Sequence, residues 1–460
     1  MPSGGRIVFI GAGGAGLTAA FSLARKDPDL SIIVFSREKD VAYSQCGMPF
    51  VLEGIIPDFN TLILYGQEVF KDLGLDVRTD TGIMSIDIDA NTVTTDTGEI
   101  LEYDKLVIAT GSVPFMPPIP GTGLKGVHKL LTLQDGRDIG KEINDVNDVV
   151  IIGGGPIGLE TAAAFIRKGA SVTIVERMPQ LLPGSLDPDM ASIVEEYLKD
   201  MGARIITGKG VDSINGTDRV ESVTVNGETI SSDFVLLSAG VRPNVDLARK
   251  AGIDIGPSGG ISIDEYFRVS RKGERLENVF AAGDCAEIIN LISGKPVVCA
   301  VGSIANKQAA YLADQLLGKD RPYGPVICPT VCVIGDLQIG SVGLTTRSAE
   351  MAGMKPLSFK ARGNTRARYY PGGKKIDIKL ISDGEKIIGG QIIGEESVQG
   401  KVNTLSLGIK KGITPQELAD METCYAPPVA PMVDPMTYVA EMLALRCSSL
   451  GKKQRRYGKL

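Results

Sequence analysis

The chain has 460 residues, enough for two to four domains with full cores. With 43% apolar residues, 23% charged residues and a net charge of −6, it reads as an ordinary globular protein, and a general nucleic-acid role is excluded. Seven cysteines without a CxxC argue against a secreted disulfide scaffold, and no uninterrupted apolar run of about 18 residues marks a membrane span, so a cytoplasmic protein is expected.

The apolar run Ile7–Ala20 is broken by glycines and has no basic leader, so it is not read as a signal segment. Arg6–Ile10 is instead a buried strand, followed by Gly11-Ala12-Gly13-Gly14-Ala15-Gly16, a helix to Lys26 and a second strand at Ser31–Phe35. A GxGxxG between strand and helix lets a pyrophosphate approach the free N–H groups of the helix start. Where an acid usually holds a ribose there is Ser36, followed by Arg37 and Glu38. Thr18, Ser22 and Arg25 share one face of the first helix, which is either a solvated face or a cradle for a phosphate-bearing substrate.

Next comes Ala42-Tyr43-Ser44-Gln45-Cys46-Gly47-Met48-Pro49-Phe50. Cys46 has no second cysteine within four residues on either side, so a disulfide there is expected to form with another molecule. The helix after Cys46 is expected to favour its thiolate. Thr79–Ile100 reads as a meander, Lys105–Ser112 as a buried strand ending in the Ala109-Thr110-Gly111 turn, and Val113–Pro120 as a crossover.

Asp148–Ile152 opens a second unit with Gly153-Gly154-Gly155-Pro156-Ile157-Gly158, a helix to about Lys168 and a strand ending at Glu176. A carboxylate at Glu176 accepts two ribose hydroxyls and repels a 2′-phosphate, which favours NADH; the adjacent Arg177 leaves NADPH open. Asp233–Gly240 and Asn278–Ala282 are further buried strands, the second ending in Gly283-Asp284, where the carboxylate either caps a turn or bonds a polyol. Ser303–Gly318 reads as a helix. Strands at Val326–Gly343, Ile376–Ile381 and Ile387–Ile393, then a helix capped near Thr414, make a third, α+β domain ending near Cys424-Tyr425-Ala426-Pro427-Pro428. The basic stretch Gly451–Leu460 reads as a frayed, disordered end. His128 reads as structural, Cys328 and Cys332 as neighbours on one face of a strand, and Cys285, Cys299 and Cys447 as core or tail; no metal site is expected.

Two fingerprints, the Ala-Thr-Gly turn, the Gly-Asp turn and Cys46-Gly47-x-Pro49 together resemble the pyridine nucleotide–disulfide oxidoreductases over essentially the whole chain. The likeness is strongest to the single-cysteine branch of CoA-disulfide reductases, NADH-dependent persulfide reductases and NADH oxidases or peroxidases. The resemblance implies an α/β fold with two Rossmann-like three-layer nucleotide-binding domains and a C-terminal α+β dimerisation domain. Residues 1–113 and 245–325 would bind FAD, 114–244 NAD(P)H, and 326–460 would form the homodimer. It implies FAD on Gly11, Gly13, Gly14, Gly16, Ser36, Arg37, Thr110, Gly111, Gly283 and Asp284, and NADH on Gly153, Gly155, Gly158 and Glu176. Coenzyme A would be held by Thr18, Ser22, Arg25 and Gln45, and Tyr425 of one subunit would reach Cys46 of the other. The chain departs from the family at Gln45 (commonly Asn), Val433 (Lys in CoA enzymes), Pro156 (commonly aromatic) and Ser36 (commonly Glu).

With no histidine after His128, the acid–base role falls to Tyr425. The expected activity passes electrons from NADH through FAD and Cys46 to a persulfide or CoA disulfide. Alternatives are an NADH oxidase or peroxidase cycling Cys46 through a sulfenic acid, and an electron-transfer flavoprotein serving a protein partner.

Overall fold

The structure, a computed structural model, describes residues 5–457. The apolar, β-branched run Arg6–Ile10 lies inside a six-stranded sheet ordered Arg268–Arg271, Glu274–Ala281, Lys105–Ile108, Arg6–Ile10, Ser31–Phe35, Leu75–Arg78. Every neighbouring pair is parallel except the first. Parallel strands are covered on both faces. On one side the Gly16–Lys26 and Gly302–Leu316 helices meet through Leu17, Ala20, Leu23, Ala309 and Leu312. On the other, the antiparallel meander Ile83–Asp87, Thr92–Thr95, Ile100–Glu102 packs Ile83, Ile86, Val93 and Leu101 onto the sheet.

The second sheet is wholly parallel, ordered Arg204–Thr207, Ser171–Glu176, Asp148–Ile152, Phe234–Leu237, Val127–Lys129. Its Pro156–Arg167 helix buries Leu159, Ala163 and Phe165 in a core that also takes Met48 and Leu52 from the helix Met48–Glu53 just after Cys46. The chain enters and leaves this half through one two-stranded tie, Ser112–Pro114 antiparallel to Val241–Pro243.

The third sheet is antiparallel, ordered Thr330–Ile334, Leu337–Gly343, Ile387–Gly394, Lys375–Ser382, Leu357–Asn364. The helices Val398–Lys411 and Pro435–Tyr457 press Val398, Val402, Leu405, Val439 and Leu443 onto it. The Thr414 cap is present as a full capping box with Glu417.

Two expectations change, and one strand is added. The Val326–Gly343 run is not one strand: Cys328 sits in left-handed backbone at φ 46°, Pro329 follows, and the strand begins at Thr330, so Cys328 and Cys332 do not share a strand face. Leu357–Asn364 is a strand hidden in the sequence by its Lys360, Arg362 and Gly363. The basic stretch is not frayed as far as Tyr457, since the 23-residue Pro435–Tyr457 helix continues through its Lys, Gln and Arg residues, all good helix formers; residues 458–460 lie outside the described residues. Among the described residues, no helix is long and apolar enough to cross a membrane.

Candidate active site

Both nucleotide loops sit where neighbouring parallel strands send their connections to opposite faces of the sheet, the crevice in which such folds bind ligands. Gly11 takes φ 113°, and a Cβ there would lie 2.1 Å from the Ala109 carbonyl oxygen; one on Gly16 would lie 2.1 Å from the Gly11 oxygen. Gly153 and Gly158 repeat the pattern, at 2.3 Å from the Ser238 oxygen and 2.4 Å from the Gly153 oxygen. Gly13 and Gly155, by contrast, face open space with nothing within 4 Å of a Cβ. Each loop is thus pinned at its ends and open in its middle, as a pyrophosphate cradle requires, so the residues present fit one dinucleotide per loop.

The surrounding side chains complete the two cradles. The Thr110 hydroxyl donates to the Asn244 carbonyl (2.6 Å), and Asn244 N–H donates to the Gly111 carbonyl (2.9 Å). Gly283 N–H donates to Gln308 Oε1 (2.6 Å), which fixes the turn carrying Asp284. The Asp284 carboxyl accepts from Ser112 Oγ (3.3 Å), and burial raises its pKa. Glu176 accepts from Gly154 N–H and from Met178 N–H, both at 2.7 Å, so its carboxylate is fixed at the mouth of the second loop. Pro156 occupies the first turn of its helix behind Gly155, where its missing N–H costs no hydrogen bond.

Ser36 Oγ accepts from Glu38 N–H (3.1 Å) and keeps its own proton to donate, while Arg37 donates to the Ile83 carbonyl (3.2 Å). Glu38 in turn accepts from the Tyr43 hydroxyl (2.6 Å), and burial raises the pKa of both groups. The same Tyr43 hydroxyl accepts from Leu133 N–H (3.2 Å), and Gln45, two residues on, is exposed. Thr18 and Ser22 are half-buried and Arg25 is exposed on their common helix.

Cys46 is exposed in the one-turn Gln45–Gly47 helix that runs straight into Met48–Glu53. The turn is held by Ser44 N–H to the Leu62 carbonyl (3.0 Å) and by Leu62 itself, 2.4 Å from where a Gly47 Cβ would stand. The protein groups alone oppose the expected thiolate: although the residue is exposed, packing around its sulfur, then the Glu160 and Asp284 carboxyls, push the Cys46 thiol up. The short helix behind it is outweighed by desolvation and two like charges.

Glu160, two residues past the second glycine loop, was not singled out in the sequence. Burial pushes its carboxyl up to about 7, although it accepts from Val333 N–H at 3.1 Å. It lies in electrostatic reach of Cys46, as does Asp284, so a carboxyl associated with each loop bears on the Cys46 thiol. The sequence signal was an acid inside the otherwise apolar helix Pro156–Arg167.

A folded pKa above the free value means the charged form is disfavoured in the fold. The penalty at Glu160 is therefore absent below about pH 4.5 and complete above about 7, where it reaches up to about 3 kcal/mol. Glu160→Gln is expected to stabilise the protein above neutral pH and not at pH 4. It should also speed iodoacetamide labelling of Cys46 several-fold at pH 8, because one charge opposing the thiolate is gone. Peptide mass mapping of the labelled site over pH 6–9 checks this, and an unshifted profile would refute it.

Tyr425, 39% exposed, shares a 2.7 Å hydroxyl–hydroxyl hydrogen bond with Tyr369, itself 75% exposed and also absent from the sequence reading; that bond raises the Tyr425 pKa. His128 is structural as expected, stacked on Phe234 at 4.7 Å with Nε2 3.3 Å from Glu142. Cys285 is buried and donates to the Ile108 carbonyl.

The family model described as pyridine nucleotide-disulphide oxidoreductase matches residues 5–314, and that of the family's dimerisation domain matches residues 329–437. A protein of Methanocaldococcus jannaschii named NADH oxidase is 40% identical over 95% of this chain and 98% of its own. One of Pyrococcus abyssi, named NAD(P)H sulfur oxidoreductase (CoA-dependent), is 35% identical over 95% of this chain and 98% of its own. The solved NAD-dependent persulfide reductase of A. fulgidus superposes with a TM-score of 0.91 at 33% identity, covering 99% of this chain and 84% of that one. With its double nucleotide fold, isolated cysteine and antiparallel C-terminal sheet, the chain belongs to the pyridine nucleotide-disulphide oxidoreductase family.

Proposed function

We propose that the chain is an FAD-dependent NAD(P)H oxidoreductase that reduces a persulfide or a coenzyme A disulfide at Cys46. The observation that carries this reading is the exposed, unpaired Cys46, electrostatically coupled to Asp284 of one nucleotide cradle and Glu160 of the other. Bound in the first cradle, FAD would supply two-electron redox chemistry between a nicotinamide and sulfur. FAD is assigned to the Gly11–Gly16 loop with Thr110, Gly111, Ser36, Arg37, Gly283 and Asp284, and NAD(P)H to the Gly153–Gly158 loop with Glu176. These correspond to domains at 1–113 with 245–325, at 114–244, and at 326–460.

The chain's own residues do the rest. Cys46, as thiolate, attacks a sulfur of the substrate; the substrate S–S bond breaks and the leaving thiolate departs. Cys46 stays oxidised as a mixed disulfide or persulfide until two electrons arriving by way of the flavin would return it to the thiolate and free the second thiol or sulfide. Glu160, with a carboxyl near 7, can hold a proton at neutral pH beside that sulfur. Thr18, Ser22 and Arg25 offer two hydroxyls and a cation on one helix face to the phosphates of a carrier such as coenzyme A, with Gln45 nearer the sulfur. The C-terminal domain leaves Tyr369, Leu407, Val429, Met432 and Val433 between 64% and 75% exposed, apolar surface of the kind a subunit interface covers. We assign a homodimer to that surface, with Tyr425 supplied to the partner's site. Tyr425→Phe is then expected to lower kcat about tenfold or more with the substrate KM little changed; unchanged kcat would remove it from the mechanism.

The name NADH oxidase on the Methanocaldococcus relative supports a second reading, oxygen or peroxide reduction through a Cys46 sulfenic acid. Anaerobic NADH consumption with CoA persulfide and CoA disulfide, set against oxygen and peroxide, tests both. Sulfur acceptors are expected to give the higher kcat/KM. Higher values with oxygen or peroxide would replace the first reading by the second.

A further inference from the structure

Two thiols outside the Cys46 site meet each other. Cys299 directly follows the strand Pro296–Val298 and is buried; Cys328 follows Val326 and Ile327 and is half-buried. One strand, Ala286–Ile289, gathers both segments: Ile289 pairs with Pro296, and Val326 N–H donates to the Ile289 carbonyl at 2.9 Å. Leu291 N–H returns a bond to the Val326 carbonyl at 2.8 Å. The two side chains belong to one small apolar cluster with Ile288, Val326 and Tyr323.

Cys328 adopts φ 46°, a left-handed conformation that glycine takes freely and a side chain does not. The interaction of the two thiols, with burial, pushes the Cys299 thiol up, and the same interaction draws the Cys328 thiol down. Cys328, the more accessible of the two, is the one a small disulfide reaches first.

We propose that Cys299 and Cys328 form a reversible intrachain disulfide by exchange with a small-molecule disulfide, RSSR. It would tie the loop leading into the Gly302–Leu316 helix to the segment entering the C-terminal sheet. The Cys328 thiolate attacks one sulfur of RSSR; a Cys328–SR bond forms, the RS–SR bond breaks and RS⁻ leaves. Cys299 sulfur then attacks Cys328 Sγ, its proton passes to the second RS group, and RSH leaves. The two cysteines lose two electrons and the small disulfide gains them. The Gly302–Leu316 helix carries Gln308, which fixes the Gly283–Asp284 turn, so the tie would join the first nucleotide cradle to the C-terminal domain. This does not depend on which acceptor Cys46 serves.

The test uses full-length, flavin-loaded Cys46→Ser protein, with both thiols of the pair intact, treated with cystamine, alkylated and digested without reductant. A peptide joining Cys299 to Cys328 is expected in material that runs as single chains on a denaturing gel, with two thiols lost per chain beyond exposed Cys424. Dithiothreitol should restore both. With Cys299→Ser added, Cys328 should stop at the cysteamine mixed disulfide; with Cys328→Ser added, Cys299 should stay unmodified. Absence of the joined peptide once Cys424 is fully modified overturns the proposal, as does modification of Cys299 in the Cys328→Ser protein.

Discussion

Cys46→Ser is expected to lower turnover with a sulfur acceptor by about 10³-fold or more, while reduction of the bound flavin by NADH continues near its normal rate. The substitution is nearly isosteric. The turn around it is held by Ser44, Gly47 and Leu62, not by the sulfur, so the fold should not change. What is lost is the only group in this turn able to form a bond to sulfur, since an alcohol is far too weakly acidic to replace a thiolate. No neighbour can substitute: Cys332, in electrostatic reach of the same Glu160, is held by burial with its thiol pushed up to about 12. Stopped-flow flavin bleaching beside steady-state NADH consumption separates the two half-reactions. A serine variant within tenfold of the parent on sulfur substrates would defeat the assignment. One in which flavin reduction also fails would point to structural damage.

The parts of this fold that could be read from the sequence are those whose chemistry is local. A buried strand, three glycines and a helix start lie within one short segment, so both nucleotide loops, with Glu176, were visible. The Thr414 cap was visible for the same reason. Groups that matter through distant contacts were not. Glu160 acquires its raised pKa from burial beside Val333, a strand 173 residues further on, and Tyr369 meets Tyr425 across 56 residues. The expectation of a Cys46 thiolate failed for this reason. It counts the helix that follows, which is local, and not two carboxyls brought from far along the chain, Glu160 on the Pro156–Arg167 helix and Asp284 after Gly283. Cys328 was placed on a strand because its neighbours are apolar and β-branched; Pro329 and the contact with Cys299 decide its conformation instead.

Two of the four glycines of the first loop, Gly11 and Gly13, are expected to fail in opposite ways. Gly11→Ala combines a φ of 113° with a Cβ 2.1 Å from the Ala109 oxygen and 2.7 Å from its carbonyl carbon. Those are backbone atoms at the end of the neighbouring parallel strand, so relief requires the central strands Arg6–Ile10 and Lys105–Ile108 to part. Conformational strain alone costs about 1–2 kcal/mol, and parting two core strands takes the total beyond about 4 kcal/mol, a large share of the ~5–15 kcal/mol that holds a domain folded. The variant should be insoluble or unfolded even without cofactor. Gly13→Ala meets no atom within 4 Å and has no left-handed backbone to maintain, so the flavin-free protein should melt within about 2 °C of the parent. Its methyl group would stand in the open middle of the cradle, where a pyrophosphate must approach the backbone, and FAD affinity should fall at least about tenfold. Calorimetry of the flavin-free proteins and FAD titration followed by fluorescence measure the two effects separately. Wild-type FAD affinity in Gly13→Ala would mean that the cofactor does not lie over this loop, and with it the electron path from flavin to Cys46 would have to be redrawn.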